Sequence, residues 1–230
     1  MVQSAIQQPS PVGGSPELDL GATPLSRDHA RAVLGETMGL VALTLGSLAL
    51  GAYIGRDLEG WIGILLFVAG FGCAIGLNIA SARGREQLAI TLLLGLGLLL
   101  GLALGPVLSA YAEADASALW QSAGVTTGFV AGLGTYGYAT RRDLSSWYRT
   151  LFWALAALIV FGILAVFVSI PNENLIWSVG GLVIFGGWTI FDFNRLRRAG
   201  EESAVPIAAS IFLDVLNIFL FVLQLFGSSD

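Results

Sequence analysis

The sequence predicts an all-α membrane protein that crosses the bilayer seven times. Hydrophobic residues make up 55% of the 230 residues and charged residues 12%, against about 25% charged in a soluble domain. The hydrophobic residues come in runs of about twenty, the length of helix that spans a hydrocarbon core. Each run is expected to be helical, because a backbone facing lipid must satisfy its own hydrogen bonds. The runs are Met38 to Gly55, Trp61 to Ala82, Leu88 to Tyr111, Leu119 to Thr140, Trp147 to Ile170, Leu175 to Phe193 and Ala204 to Phe226.

The stretch before the first run is polar and carries four prolines among Ser, Gly and Gln. Such a segment cannot bury enough apolar area to offset the entropy lost on ordering. We therefore expect a disordered cytoplasmic tail over residues 1–30, with Ser26 to Glu36 compatible with a short interfacial helix. Residues 31–230 then form one seven-helix transmembrane domain.

The arginines predict the orientation, because loops rich in Lys and Arg stay cytoplasmic. Ten of the eleven basic residues, all of them arginines, fall on one side of the seven predicted spans, and Arg56 alone falls on the other. The N-terminus is therefore expected inside and the C-terminus outside. The ten are Arg27, Arg31, Arg83, Arg85, Arg141, Arg142, Arg149, Arg195, Arg197 and Arg198.

Several function classes are excluded by what the chain lacks. It has no lysine for a retinal Schiff base and no basic stripe for nucleic acid. Its one histidine, His29, precedes the spans, so neither a Ser-His dyad nor a histidine metal site can form inside the membrane. We expect neither an enzyme nor a cofactor. The single cysteine, Cys73, is expected to serve packing.

Glycines recur at every fourth position in the third and fourth runs. Small residues at this spacing let membrane helices approach closely. We expect tight packing at both stripes, with a glycine-lined ion path as the alternative. The stripes are Gly97, Gly101 and Gly105, and Gly124, Gly128 and Gly132.

Two acidic residues lie inside the hydrophobic runs. Asp214 is ten residues past Ala204, or about 15 Å along a helix, close to mid-membrane. Asp192 lies near the cytoplasmic end of the preceding run. An Asp at such depth costs roughly 2.5 to 3.5 kcal/mol on insertion, and an intramembrane acid by default marks an ion or proton path. A purely structural role is the alternative.

The last run carries one polar stripe, which consists of Ser203, Ser210, Asp214, Asn217 and Gln224. These residues fall within about 80° of one another at 100° per residue. A stripe of this length is not expected to face lipid. We therefore expect the last helix to face the interior of the bundle or to line a cavity.

The two acids are expected to act together if their helices are adjacent. Two close carboxylates in low dielectric cannot both ionise cheaply, so the pair should titrate in two steps. Ionised, they would repel each other and attract a hard cation such as Ca²⁺, so Asp192 and Asp214 form a candidate site for transient Ca²⁺. Arg83 could pair with Asp192 and hold the cytoplasmic side shut; its alternative is an ordinary positive-inside residue.

Three motifs resemble those of the Bax inhibitor-1 (transmembrane Bax inhibitor motif) family. They are Gly137-Tyr-Ala-Thr140-Arg-Arg-Asp143-Leu-Ser145, then Phe191-Asp192-Phe-Asn-Arg-Leu, and Ser210-Ile-Phe-Leu-Asp214-Val-Leu-Asn217-Ile-Phe-Leu followed by Leu225-Phe-Gly227. The resemblance implies six helices around a central C-terminal helix and a Ca²⁺ leak channel. It also implies that Asp192 and Asp214 gate the channel as a pH sensor, with Arg83 as a latch. This chain resembles a bacterial member, which implies the plasma membrane.

Three functions are therefore open. The leading hypothesis is a pH-sensitive Ca²⁺ leak channel that works as a monomer in the lipid bilayer, with Ca²⁺ as the permeant ion. An H⁺/cation exchanger would use the same carboxylates, and a membrane regulatory protein would conduct nothing. Flux that saturates and follows a proton gradient would favour the exchanger. Flux unchanged by loss of either acid would favour the regulatory protein.

Overall fold

The computed structural model describes residues 27–168, 171–199 and 204–227, and throughout these ranges the regular structure is helical. All six helices are long and apolar enough to cross a membrane, so the chain is an integral membrane protein. They are α1 (Arg27–Gly55), α2 (Ile62–Ala82), α3 (Glu86–Ala139), α4 (Trp147–Phe167), α5 (Glu173–Arg198) and α6 (Ala204–Gly227).

The N-terminal prediction is tested only where the structure begins. Residues 1–26 of the expected tail lie outside the described residues. From Arg27 onward the proposed interfacial helix and the first predicted span form one continuous helix of 29 residues, α1.

Helix α3 covers the third and fourth predicted runs in one element of 54 residues. A straight helix of this length would be about 81 Å long, far more than the roughly 30 Å of a hydrocarbon core. The backbone breaks at Asp115, where φ is −151° and ψ is 93°. The Asp115 carboxylate there accepts hydrogen bonds from the Ser117 N–H at 2.9 Å and the Ser117 hydroxyl at 2.7 Å, as an N-cap does. The break divides α3 into a first arm (residues 86–114) and a second arm (residues 116–139).

The first arm packs backbone to backbone against α1. A Cβ added at Gly97, Gly101 or Gly105 would overlap backbone atoms of α1. The glycines on the other side, Gly51 and Gly55, are just as close to the first arm. The predicted close packing is confirmed for this stripe.

The second glycine stripe has different surroundings. At Gly124, Gly128 and Gly132 no described atom lies within 4 Å of an added Cβ, and all three residues are exposed. The prediction of close packing is wrong here, because the second arm meets α5 through another face, where Gly134 and Gly137 contact Phe193 and Ile190.

The core is concentrated on α6. Thirteen of its 24 residues are buried, and it contacts α1, α2, α3 and α5. Phe212, Ile207 and Ile211 are among its fully buried side chains. Helix α4 lies at the other extreme, since Leu158 is its one buried residue and its contacts are with α5. The segment that carries Asp214 is therefore the one most enclosed by protein.

Candidate functional site

The two acids meet on the interface between α5 and α6. Asp192 is 1% exposed and Asp214 is 5% exposed, and their carboxyl groups interact with each other. The Ser210 hydroxyl, one turn before Asp214 on α6, also approaches Asp192. The two helices run antiparallel, which brings the end of α5 beside the first half of α6. The sequence therefore identified two residues that the fold brings together.

These carboxyl groups have few hydrogen-bond partners. Among the described residues, neither oxygen of Asp192 nor Oδ2 of Asp214 makes a hydrogen bond of good geometry, although Ser210 is near. A buried carboxylate without donors is costly, because it loses water and gains nothing in exchange. The pair can relieve this cost by binding a proton or by binding a cation. The pair is therefore able to bind either a proton or a cation.

Arg195 is the nearby cation that acts on Asp192. It lies one turn further along α5, and its charge acts on the Asp192 carboxyl. Arg83 lies at the C-terminal end of α2 with its side chain exposed, and no described hydrogen bond or ion pair joins it to Asp192. Its role as a latch stays a prediction.

The polar stripe of α6 contacts α5 at both of its described ends. Toward the start of α6, Ser210 approaches Asp192. Toward the end of α6, the Ser178 hydroxyl donates to Oε1 of Gln224 at 3.1 Å, and Nε2 of Gln224 donates to Oδ1 of Asn174 at 3.5 Å. The expectation that the stripe faces protein is confirmed; its first member, Ser203, lies outside the described residues.

Asn217 occupies the middle of the stripe. Its Nδ2 donates to the Leu213 carbonyl of its own helix at 2.7 Å, and its side chain is half-buried. The amide thus places a polar group one turn past Asp214 along α6. The polar groups of the stripe lie in two parts, one around Asp192, Asp214 and Asn217 and the other around Asn174, Ser178 and Gln224.

A second set of contacts, which we call the α5 clasp, was missed by the sequence reasoning. It joins the last turns of α5 to the end of α3 and the loop before α4. Nδ2 of Asn194 donates to the carbonyls of Gly137 at 3.3 Å, Thr140 at 3.1 Å and Arg142 at 3.3 Å. Two charged contacts complete it: Arg197 donates to the Thr140 carbonyl at 2.8 Å and Arg198 pairs with Asp143 at 2.5 Å.

The α5 clasp explains why two of the three motifs occur together. The segment from Gly137 to Ser145 and the segment from Phe191 are far apart in sequence but bind each other. Their co-occurrence was the signal that could have predicted the contact. Hydrogen bonds from Ser145, and then from Arg198, lower the pKa of Asp143 to about 2, so this carboxylate stays ionised at neutral pH.

The two acids are not part of a larger cluster of metal-binding side chains. Within the described ranges no group of three or more His, Cys, Asp or Glu side chains converges. Ca²⁺ takes six to eight oxygen ligands, and Asp192, Asp214 and Ser210 together supply fewer side-chain oxygens than that.

Comparison with known proteins places the chain in a family. A family model described as inhibitor of apoptosis-promoting Bax1 matches residues 30–230. The Golgi anti-apoptotic protein of vaccinia virus (strain Lister) is 33% identical over 170 residues, which cover 73% of this chain and 70% of the viral protein. A Helicobacter pylori (strain ATCC 700392 / 26695) protein is 26% identical over 164 residues, 71% of this chain and 70% of its own length.

A third relative is named for its place in the cell. The inner membrane protein YbhL of Escherichia coli (strain K12) is 27% identical over 141 residues, 56% of this chain and 59% of its own length. The family model covers nearly all of the described structure, including both acids and the α5 clasp. The chain therefore belongs to the Bax inhibitor family of membrane proteins, as its three motifs predicted.

Proposed function

We propose that this chain is a pH-sensitive Ca²⁺ leak channel of the bacterial plasma membrane, gated by Asp192 and Asp214. The observation that carries the proposal is the pair itself: two buried carboxyl groups on adjacent helices, with three of their four oxygens lacking a hydrogen bond of good geometry among the described residues. A structural pair of this kind would ordinarily be satisfied by donors.

Protonation is the proposed switch. With a shared proton the two carboxyl groups carry less charge, and α5 and α6 pack together at this point. Without it, two negative charges repel each other and attract a cation. Occupancy by Ca²⁺ therefore rises as pH rises through the second titration step. The Ser210 hydroxyl would add an oxygen ligand during passage.

The proposed topology has seven spans with the N-terminus inside. The break at Asp115 supports it, because each arm of α3 is long enough to cross the bilayer by itself. The arginine distribution supports the orientation. The burial of α6 and its contacts with α1, α2, α3 and α5 support a central position for the last helix, with six others around it.

The remaining parts of the proposal follow from this topology. The path lies inside one bundle, so a monomer is sufficient. Neither a cofactor nor a catalytic group is needed, since the ion passes through the protein without a chemical reaction. Arg83 would act as the latch by moving from the end of α2 toward Asp192, where Arg195 already contributes positive charge.

The test is Ca²⁺ entry into dye-loaded proteoliposomes across about pH 5 to 8. Wild type is compared with Asp214→Asn and with Asp57→Asn, whose side chain is 86% exposed. We expect a pH-dependent leak that Asp214→Asn flattens and Asp57→Asn preserves. A leak with the same pH profile in all three would remove the acid pair from gating.

Two other outcomes separate the alternative functions. Saturable Ca²⁺ flux that needs a proton gradient would favour an H⁺/cation exchanger. No leak above empty liposomes at any pH would overturn the channel and favour a non-conducting regulatory protein, a role compatible with the name of the viral relative.

A further inference from the structure

One aromatic side chain interrupts the polar atoms along the α5–α6 interface. Outside it lies a polar layer made of Asn174, Ser178 and Gln224. Inside it lie Asn217 and then the acid pair. The interruption is Phe221, seven residues past Asp214, which is about 10 Å along α6.

The Phe221 ring lies flat on the backbone of α5. A Cβ built at Gly181 would overlap the ring carbons of Phe221, and Phe221 is 6% exposed. The rings of Trp177 and Phe185 flank it, each with its centroid 5.9 Å away. An apolar layer formed by Phe221, Trp177 and Phe185 therefore separates the two polar parts of the interface.

Gly181 leaves a place in this layer that the Phe221 ring fills. Because glycine has no side chain, α5 offers none at this position to replace the ring, and Trp177 and Phe185 lie on either side of it. The space that the ring leaves would join polar groups on both sides, Ser178 and Gln224 outside and Asn217 inside. Water enters a cavity when polar partners are available, so we expect water to enter this space when the ring is removed.

We propose that Phe221, seated on Gly181, is the outer barrier to Ca²⁺ movement toward Asp192 and Asp214. The inference rests on the proposed channel function and adds a second barrier to it. A narrow apolar constriction blocks ions by excluding water. The acid pair then controls the inner part of the path, and Phe221 controls access from the outer end of α5 and α6.

The first test measures Ca²⁺ flux in proteoliposomes for Phe221→Ala. We expect faster entry by about tenfold, the effect of a barrier lower by about 1.4 kcal/mol. Phe221→Leu keeps an apolar plug and should stay close to wild type. The matched control is Phe167→Ala on α4, where the phenylalanine is 81% exposed and its loss should not change flux.

The second test measures access to the inner side of the ring and does not depend on Ca²⁺ conduction. Asn217→Cys is made in a Cys73→Ser background, with and without Phe221→Ala. A positively charged, membrane-impermeant thiosulfonate is then added from outside. We expect labelling at least about tenfold faster without the ring. Asn174→Cys, on the outer side, should react equally in both backgrounds.

The two tests separate failure of the barrier from failure of the channel. Equal labelling of Asn217→Cys in both backgrounds overturns the barrier. If wild type leaks Ca²⁺ and Phe221→Ala leaks at the same rate, the proposed barrier is also overturned, whereas the channel proposal is not. Faster labelling without any Ca²⁺ flux in either protein supports the ring as a seal and overturns the channel.

Discussion

At the scale of single residues, Asp143 and Asp192 put the same carboxyl group in opposite surroundings. Asp143 is exposed, and Ser145 and Arg198 donate hydrogen bonds to it. Asp192 is buried, and among the described residues its oxygens have no hydrogen bond of good geometry. Donors favour the ionised form, whereas burial disfavours it. Both residues lie in family motifs, and of the two it is Asp192 that we propose as part of the pH sensor.

We expect Asp143→Asn to lower the thermal unfolding midpoint slightly and by the same amount at about pH 5 and about pH 8. The pKa of Asp143 is about 2 in the folded protein, below its ordinary 3.8. The ion pair with Arg198 is therefore fully formed above the ordinary pKa and is lost only as pH falls toward 2. Thermal unfolding in detergent measures the shift.

The control for Asp143→Asn is Asp57→Asn, since Asp57 is also in a loop and pairs with the adjacent Arg56. It should have a smaller effect. A difference between Asp143→Asn and wild type that changes across this pH range would contradict the assignment and would make Asp143 a second pH-dependent group.

Asn194 is the residue on which the α5 clasp depends most. It is fully buried, and one amide group serves three carbonyls. We expect Asn194→Ala to destabilise the protein by about 1–3 kcal/mol, because the buried bond to the Gly137 carbonyl is lost together with two part-buried bonds. Asn194→Asp should be worse, since a carboxylate would then face carbonyl oxygens.

The matched control for Asn194 is Asn78→Ala. Asn78 is exposed and its amide donates to Ala74 of its own helix, so its loss should be nearly neutral in the same thermal unfolding assay. Equal effects at the two positions would show that the α5 clasp contributes little to stability.

At the scale of helices, the two glycine stripes show what spacing can and cannot predict. Spacing predicted both equally, but only the first stripe meets another backbone. Whether a glycine is needed depends on what lies opposite, and that is decided by how the helices cross. The contacts of Asn194 were likewise not predictable from local spacing, because its acceptors lie 52 to 57 residues away in sequence. By contrast, the helical state of the apolar runs follows from their length, and the polar face of α6 that carries Asp214 follows from periodicity; both were predicted correctly.

The two stripes also give a prediction. Gly101→Ala should destabilise the protein by about 1–3 kcal/mol or more, because the new methyl group would overlap the backbone of α1 at Leu48. Gly128→Ala should be neutral, since no described atom lies within 4 Å. Thermal unfolding of the two variants side by side tests this. Equal destabilisation would mean that another surface covers the second stripe.

At the scale of the whole molecule, the break at Asp115 is the feature on which the proposed seven-span topology depends. If α3 turns back there, Asp115 lies outside and the loop that contains Asp143 lies inside. The same turn puts the α5 clasp and Arg195 on the cytoplasmic side with Arg83. The sequence predicted two hydrophobic spans in the region of α3. That a single non-helical residue separates them was visible only in the structure.

Reporter fusions test this topology directly. Alkaline phosphatase joined after Asp115 should be active, because the enzyme works outside the cytoplasm, and green fluorescent protein at the same position should be dark. After Asp143 the two readouts should reverse. Fusions after Leu58 and after Gly84 serve as outside and inside controls, since they follow α1 and α2. Identical readouts after Asp115 and after Asp143 would mean that the second arm of α3 does not cross the membrane. The acid pair would then lack the seven-span bundle that the proposed channel requires.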